Sequence, residues 1–398
     1  VTETIDNGPH PATTMPCPVC DHDVPAGRFC ARCGGRLSPG AGDGPAWLRV
    51  RDYAAAPGEN VLQPSVVSTM FPHLPSRSRA AFRLVLGLVA VLLVVFSVLQ
   101  WYIPMIAVAI FAPPILVALY LVETGLLSDL PRWVWILTAA LGTCVGIAWA
   151  VLTSSIVAES YSLGLGAEVP TLRLIADAVA IPFGALLAIQ VTAVLIRLIR
   201  PPVQETLHGF VIGVIGATMF TVATNIVRMV PKIGETTVTG DQPVPDLLLE
   251  AGVRGVAEPL TGLSLGGLVG AALWYVGQRR RGPLLIGGLG LLIGAAAYSC
   301  VGIAQAYQLP LPLQFLVHVV FAVVAIVALR VGLQVMMLRE RNAVMYPDQP
   351  ILCPWCEHVV PDTAFCAACG VTSHAASRTS RDTRRRERPL PVIEAVEQ

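Results

Sequence analysis

Long apolar runs separated by short arginine-bearing breaks dominate the pattern of this chain from Ala81 onward. Eight runs are long enough to cross a bilayer: 82–102, 105–122, 132–152, 172–199, 207–230, 252–277, 284–306 and 312–338. About 20 apolar residues traverse ~30 Å of hydrocarbon. Backbone polar groups in lipid must be satisfied within the segment, so each run predicts a helix. Pro113-Pro114 in the second run and Pro182 in the fourth predict kinks. The stretch near 231–251, rich in Pro, Gly and acidic residues, predicts an irregular outer loop.

Composition agrees. Hydrophobic residues make up 54% and charged residues 13%, with a mean hydropathy of +0.66, whereas soluble domains carry about 25% charge. The net charge of +1 offers no global field for nucleic acid. Lys232 is the only lysine, an arginine bias expected of a G+C-rich genome. The first 76 residues lack the apolar core of a signal peptide, so internal spans are expected to direct insertion. With the N-terminus inside, eleven basic residues fall on inner segments and four on outer ones. That asymmetry places both termini in the cytoplasm. Trp101, Tyr102, Trp133, Trp135, Trp274 and Tyr275 fall near span ends and read as interfacial anchors.

The ten cysteines divide into two quartets and two singles. The quartets are Cys17, Cys20, Cys30 and Cys33, and Cys353, Cys356, Cys366 and Cys369. Both read CPxC, nine residues, CAxCG. Both carry an acid and a His after the first pair (Asp21-His22, Glu357-His358), then Val-Pro (Val24-Pro25, Val360-Pro361), then a Phe before the third Cys (Phe29, Phe365). This is an internal repeat. Two CxxC knuckles close a tetrahedron of soft ligands, which fits two structural Zn2+ with no open position for water. A reducing cytoplasm opposes the alternative, disulfides. His22 and His358 then lie outside the ligand shell. Cys144 and Cys300, inside apolar runs, are expected to be small buried hydrophobes. Both quartets resemble the short zinc-ribbon family, whose members hold partners or stabilise a terminus.

The expected organisation is an N-terminal ribbon over 1–40, a linker over 41–81 rich in Pro, Gly, Ala and Ser, a membrane domain over 82–338, a C-terminal ribbon over 339–374 and a disordered basic tail over 375–398. The fold class is an all-α polytopic membrane protein with a small four-cysteine zinc ribbon at each cytoplasmic terminus. Arg378, Arg381, Arg384, Arg385, Arg386 and Arg388 in the tail suit anionic lipid headgroups, or simply a solvated segment. Neither ribbon carries the dense basic or aromatic stripe of a nucleic-acid binder. The two near-duplicate ribbons, on one side of the membrane, are expected to pack on each other.

Between Pro113 and Tyr275 the sequence resembles the PrsW-type intramembrane protease family. The resemblance covers under half of the chain. It is carried by Pro113-Pro114 with Glu123 and Leu130-Pro131-Arg132, Ala180-Ile181-Pro182, His208-Gly209 with Gly213, Phe220 to Thr224-Asn225, and Glu258-Pro259 to Gly262 and Gly266. It implies the fold and a site in the bacterial cytoplasmic (inner) membrane. The family's paired glutamates would fall at Ala185 and Leu186, its lysine at Ile189, its next glutamate at Thr224 and its histidine at Glu258. Alkyl groups cannot activate water or stabilise an oxyanion. The chain therefore reads as having no catalytic residues: a pseudoprotease acting as scaffold or accessory subunit for a membrane-protein partner. Asp177, Asn225 and Glu258 form a candidate remnant polar centre. An active protease using Glu258 with Asn225, and a transporter, are the alternatives. Other ionisable groups within or near spans are His208, Arg228, Arg254, His318 and Arg330; those at span ends are expected to snorkel.

Overall fold

A computed structural model of the chain describes residues 14–37, 52–74, 76–162, 171–234, 244–275, 281–307, 309–340, 346–347, 349–353 and 355–387. It begins with a small hairpin, β1 (Thr14–Pro16) and β2 (Asp23–Pro25). A second hairpin, β3 (Asp52–Tyr53) and β4 (Ala56–Asn60), leads into a short helix α1 (Val66–Met70). The spans follow: α2 (Ser76–Val98), α3 (Tyr102–Glu123), α4 (Arg132–Ser162), α5 (Thr171–Ile199), α6 (Thr206–Gly234), α7 (Val244–Gly252) continuing into α8 (Glu258–Trp274), α9 (Arg281–Ala306) and α10 (Leu311–Arg339). A third hairpin, β5 (Pro350–Leu352) with β6 (Val359–Pro361), and a helix α11 (Arg378–Arg386) complete the described chain. Among the described residues, eight helices are long and apolar enough to cross a membrane. This is the polytopic all-α architecture read from the apolar runs.

Helix α6 is the axis of the bundle, packed against α8 on one side and α4 on the other. Small residues permit both contacts. A Cβ on Gly213 would lie 2.1 Å from the Gly266 carbonyl oxygen, and one on Gly270 would lie 2.2 Å from that of Gly209. On the α4 side, a Cβ on Gly142 would lie 2.7 Å from the Gly216 carbonyl oxygen and one on Gly146 2.6 Å from that of Phe220. Between α7 and α8, Val253–Ala257 winds as a wider π turn. Pro259 explains it: proline has no N–H for the Gly255 carbonyl, and its ring crowds that carbonyl. The segment expected to be wholly irregular near 231–251 includes the last residues of α6 and all but one of α7's.

The larger departure lies before the first span. Part of the expected linker is folded into the bundle. Tyr53, Ala55, Ala56, Met70, Phe71 and Leu74 join the same buried core as α3, α6, α8 and α10. Phe71 packs its ring on Phe82 and Tyr120, with centroids 4.9 and 5.3 Å apart, and the Tyr120 hydroxyl donates to the Pro72 carbonyl at 3.0 Å. Apolar side chains at Tyr53, Phe71 and Leu74 are what a Pro- and Gly-rich reading overlooks.

Arg330 explains why this segment is held. Its side chain is fully buried in α10 and does not snorkel. The guanidinium meets Glu59 at 3.0 Å, donates to Ser68 Oγ at 2.7 Å and Thr69 Oγ1 at 3.2 Å, and lies 4.1 Å from the centre of the Tyr53 ring. Every one of those partners comes from residues 53–69. A cation buried in a span must be paired, and the hairpin with α1 supplies the pairing. Ala54 N–H adds a bond to Gln334 Oε1 at 2.8 Å.

Other expectations change as well. Trp274 and Tyr275 are buried, as is Trp135, so they are core residues and not interfacial anchors; Trp101 and Trp133 are exposed as expected. Trp274 lies beneath the Arg197 guanidinium, 5.6 Å from it. Cys144 and Cys300 are exposed on the outside of the bundle and not buried. His318 bonds its own helix through the Gln314 carbonyl.

Candidate metal centres

Each cysteine quartet is built the same way. In the first, the hairpin β1–β2 carries one knuckle: Cys17 N–H donates to the His22 carbonyl at 3.0 Å and Asp21 N–H to the Cys17 carbonyl at 3.0 Å. The second repeats this with Cys353 to His358 at 2.8 Å and Glu357 to Cys353 at 3.0 Å. Asp21 and Glu357 turn the chain with φ of 53° and 58°, and Gly34 and Gly370 do so after the last cysteine with φ of 70° and 81°. The left-handed turn suits glycine at the latter pair. At the former, a short turn forced by the knuckle outweighs the cost to a side chain.

The thiols converge. Cys17 and Cys33 Sγ lie 3.7 Å apart and Cys20 and Cys30 Sγ 3.8 Å; the matching pairs in the second quartet, Cys353 with Cys369 and Cys356 with Cys366, lie at 3.8 and 3.9 Å. All four sulfurs of each quartet fall within 4.8 Å of one another. A regular tetrahedron of Zn–S bonds of roughly 2.3 Å has an S···S edge of about 3.8 Å. The residues therefore fit a four-thiolate metal ion. Backbone N–H groups point at the sulfurs, from Val19 to Cys17 and from Cys33 to Cys30, each at 3.4 Å. Without a cation the thiols resist sharing charge. Burial pushes the Cys33 thiol above its ordinary value, and hydrogen bonding with Cys366 raises Cys353 to about 12. A bound cation reverses this by favouring thiolates. His22 and His358 are exposed and turn their Nδ1 to the carbonyls of Cys20 and Cys356, away from the sulfurs.

No family model matches this chain, no curated protein matches it, and no solved structure matches it. Its description therefore rests on its own geometry.

That geometry joins the two ribbons into one body. Phe29 N–H donates to the Ala367 carbonyl at 3.1 Å, and Phe365 N–H donates to the Ala31 carbonyl at 3.0 Å. These are equivalent residues of the repeat bonded reciprocally. The side chains repeat the exchange: a Cβ on Gly34 would lie 2.7 Å from the Phe365 ring, and one on Gly370 would lie 2.7 Å from the Phe29 ring. The pair is a local two-fold, as in an isologous dimer interface.

The C-terminal ribbon also grips the membrane bundle. Thr372 N–H donates to the Ala54 carbonyl at 2.9 Å. Ser377 Oγ donates to the Thr124 carbonyl at 2.6 Å and caps α11 by accepting from Ser380 N–H at 3.1 Å. Asp129 accepts from Arg378 N–H and Thr379 N–H, each at 2.7 Å, so a carboxylate sits on the positive end of α11. Its other partner is buried His208, whose Nε2 lies 2.9 Å away. Burial works against the Asp129 charge, but the bonds from His208 and Thr379 outweigh it and hold this carboxyl below its ordinary value. Arg381 Nη2 donates to both carboxylate oxygens of Glu205 at 2.8 and 3.0 Å, and Arg385 meets Asp362 at 2.8 Å. The expected disordered tail is thus a docked helix as far as Arg386. Arg378 and Arg386 are its exposed arginines; Arg388 lies outside the described residues.

The candidate polar centre in the membrane divides. Asn225 is half-buried and lines a cavity of about 10 Å³ with Thr218, Thr221, Pro113 and Pro259. Glu258, also half-buried, precedes that proline and lies within electrostatic range of Arg228 and Tyr298. The Asp177 side chain lies outside the described residues. Leu186 and Ile189 are buried, and Ile189 lies 3.4 Å from where a Cβ on Gly266 would stand. Thr224 spends its hydroxyl on the Phe220 carbonyl of its own helix at 2.8 Å. Sequence reasoning missed Glu59, Asp129, Glu205 and Glu340. The available signal was Arg330: an arginine in the middle of an apolar span demands a carboxylate from elsewhere.

Proposed function

We propose that this protein is a non-catalytic membrane scaffold, a PrsW-like bundle that has lost the polar set of a protease and carries a two-zinc cap on its cytoplasmic face. The observation behind this reading is the interior around α5 and α6. Leu186 and Ile189 stand where the resemblance would put a glutamate and a lysine, and both are packed into the core. The cavity beside Asn225, about 10 Å³, holds at most one water, far too little for a peptide bond and its flanking residues. Zinc is the metal of choice for closed four-thiolate sites. The excess of arginine on the inner segments supports a cytoplasmic cap, and the bacterial inner membrane follows from the family resemblance. The cap offers the partner-binding surface; Arg378 and Arg386 suit acidic groups, including anionic headgroups.

Native mass spectrometry of the protein released from its own membranes in mild detergent tests the scaffold reading. A reproducible hetero-complex is expected. A solitary chain, together with cleavage of membrane-embedded peptides that disappears in Glu258→Ala, overturns it in favour of an active hydrolase.

A further inference from the structure

The two metal sites share walls. Phe29 stands next to Cys30 of the first site, and its ring closes over Gly370, which follows Cys369 of the second. Phe365 stands next to Cys366, and its ring closes over Gly34, which follows Cys33. Phe29 and Phe365 are 6% and 4% exposed. The backbone exchange between Phe29 and Ala367, and between Phe365 and Ala31, runs through residues directly beside ligands. Among the described residues, the core of each ribbon is its cysteines with a few apolar side chains: Met15, Val19, Val24 and Leu37 in one, Ile351, Trp355, Val360 and Val371 in the other. In ribbons of this size the metal supplies the folding energy. Each metal therefore orders not only its own loop but a face on which the other loop is built.

We infer that the two sites are one cooperative metal-binding unit, so that emptying either weakens the hold of the other. The coupling follows from the reciprocal contacts: a ribbon that unfolds on losing its ion withdraws a phenylalanine ring and a backbone acceptor from beside the remaining cysteines. It has a direction as well. Phe365 also packs with Ala54 of the second hairpin and with Leu338 of α10, so part of the second site's support comes from the membrane bundle. The first site has its wall from the second ribbon. Loss of the second ion is thus expected to harm the first site more than the reverse. This inference concerns the chain's own thiols and holds whether or not the scaffold reading is correct.

Native mass spectrometry of the full-length, zinc-loaded protein, withdrawn at intervals from a zinc chelator, reads the coupling directly. Cooperative sites leave mostly two-metal and zero-metal species, with the one-metal species well below its statistical share. Phe29→Ala and Phe365→Ala remove the shared walls, and the one-metal species should then accumulate. Cys353→Ser with Cys356→Ser should speed release from the first site at least tenfold. The converse pair, Cys17→Ser with Cys20→Ser, should speed release from the second by less. A statistical one-metal population in the wild-type protein overturns the inference, and that measurement stands even if a variant fails to fold. So does release from the surviving site at the wild-type rate in both serine variants.

Discussion

The two ribbons are near copies in sequence and in fold, but the residues that follow each of them meet the membrane bundle differently. Inside the repeat the knuckle turns and the reciprocal phenylalanines match. Beyond it they part. After Gly370 the chain goes on through Thr372, Ser377 and α11 to reach Ala54, Thr124, Asp129 and Glu205. The N-terminal copy is followed at a distance by the hairpin β3–β4, which answers Arg330. The repeat therefore gathers four thiols that can hold a metal ion, and the flanks decide where that body sits. Duplication alone makes a pair; the unshared residues make an anchored cap.

The widest separation between the two copies should come from emptying one at a time. Metal binding is worth ~10–16 kcal/mol in comparable zinc peptides. Cys366→Ser is expected to release α11 and expose Asp129 and Glu205 to solvent. Cys30→Ser should loosen the ribbon pair while α11 keeps its contacts. Hydrogen exchange over 372–387 in detergent-solubilised protein distinguishes them, and equal loss of protection in both variants would break the comparison.

A smaller effect sharpens the role of the other flank. Glu59→Ala leaves the buried Arg330 guanidinium without its carboxylate, at an expected cost of about 3–5 kcal/mol. Glu59→Ala with Arg330→Met should recover most of it, because the uncompensated charge is gone. Thermal unfolding of the two variants gives the difference, and equal destabilisation would mean that the ion pair is incidental to holding the hairpin.

The smallest effect concerns His374, which has no counterpart in the N-terminal copy. Its Nδ1 lies 3.9 Å from Oε2 of Glu340 at the end of α10, and both groups are buried. Burial pushes Glu340 up to about 7, opposed by the bond from Thr206 N–H and aided by Glu205. Burial pushes His374 down to about 4, with Arg381 adding to the effect and Glu205 opposing it. The signs oppose. The raised carboxyl favours docking at low pH, and that contribution is lost as pH climbs from the ordinary carboxyl value through about 7. The lowered imidazole favours docking above its ordinary value, and that contribution is lost as pH falls through about 4. Docking in effect moves one proton from His374 to Glu340, so the wild-type cap should change its affinity only a few-fold between pH 5 and 8. His374→Asn removes one half of this balance. Docking should then weaken by roughly 10²-fold over the same range, since each tenfold fall in proton activity below the ordinary carboxyl range weakens it up to tenfold until Glu340 ionises, as followed by exchange protection of α11 corrected for intrinsic rates. A flat profile in that variant would show that Glu340 stays ionised throughout.

Much of this molecule was legible beforehand, for physical reasons. Hydrocarbon imposes helix on long apolar runs, and the tetrahedral shell imposes CxxC spacing on its ligands. Near-duplication of the ribbons predicts that the copies pack on each other; that Phe and Gly make the contact is visible only in the fold. What escaped were charges whose partners lie far along the chain. Glu59 and Arg330 are 271 residues apart and Arg381 and Glu205 176, and nothing local in a Pro-rich stretch or an arginine run specifies such a match. Asn225 and Glu258 stand out in the sequence for their polarity, but polarity in a span states a need for a partner without naming it.

The local two-fold between the ribbons has a consequence for how the chain is made. Its two halves are separated by roughly 330 residues, which a ribosome working at about 5–20 residues per second takes from some 15 seconds to over a minute to deliver. For that interval the first half waits with the edge around Phe29 unmet, while eight spans are threaded into lipid. Only when the second half emerges can the edge be covered. The clasp can therefore close only after residues 82–338 have been translated.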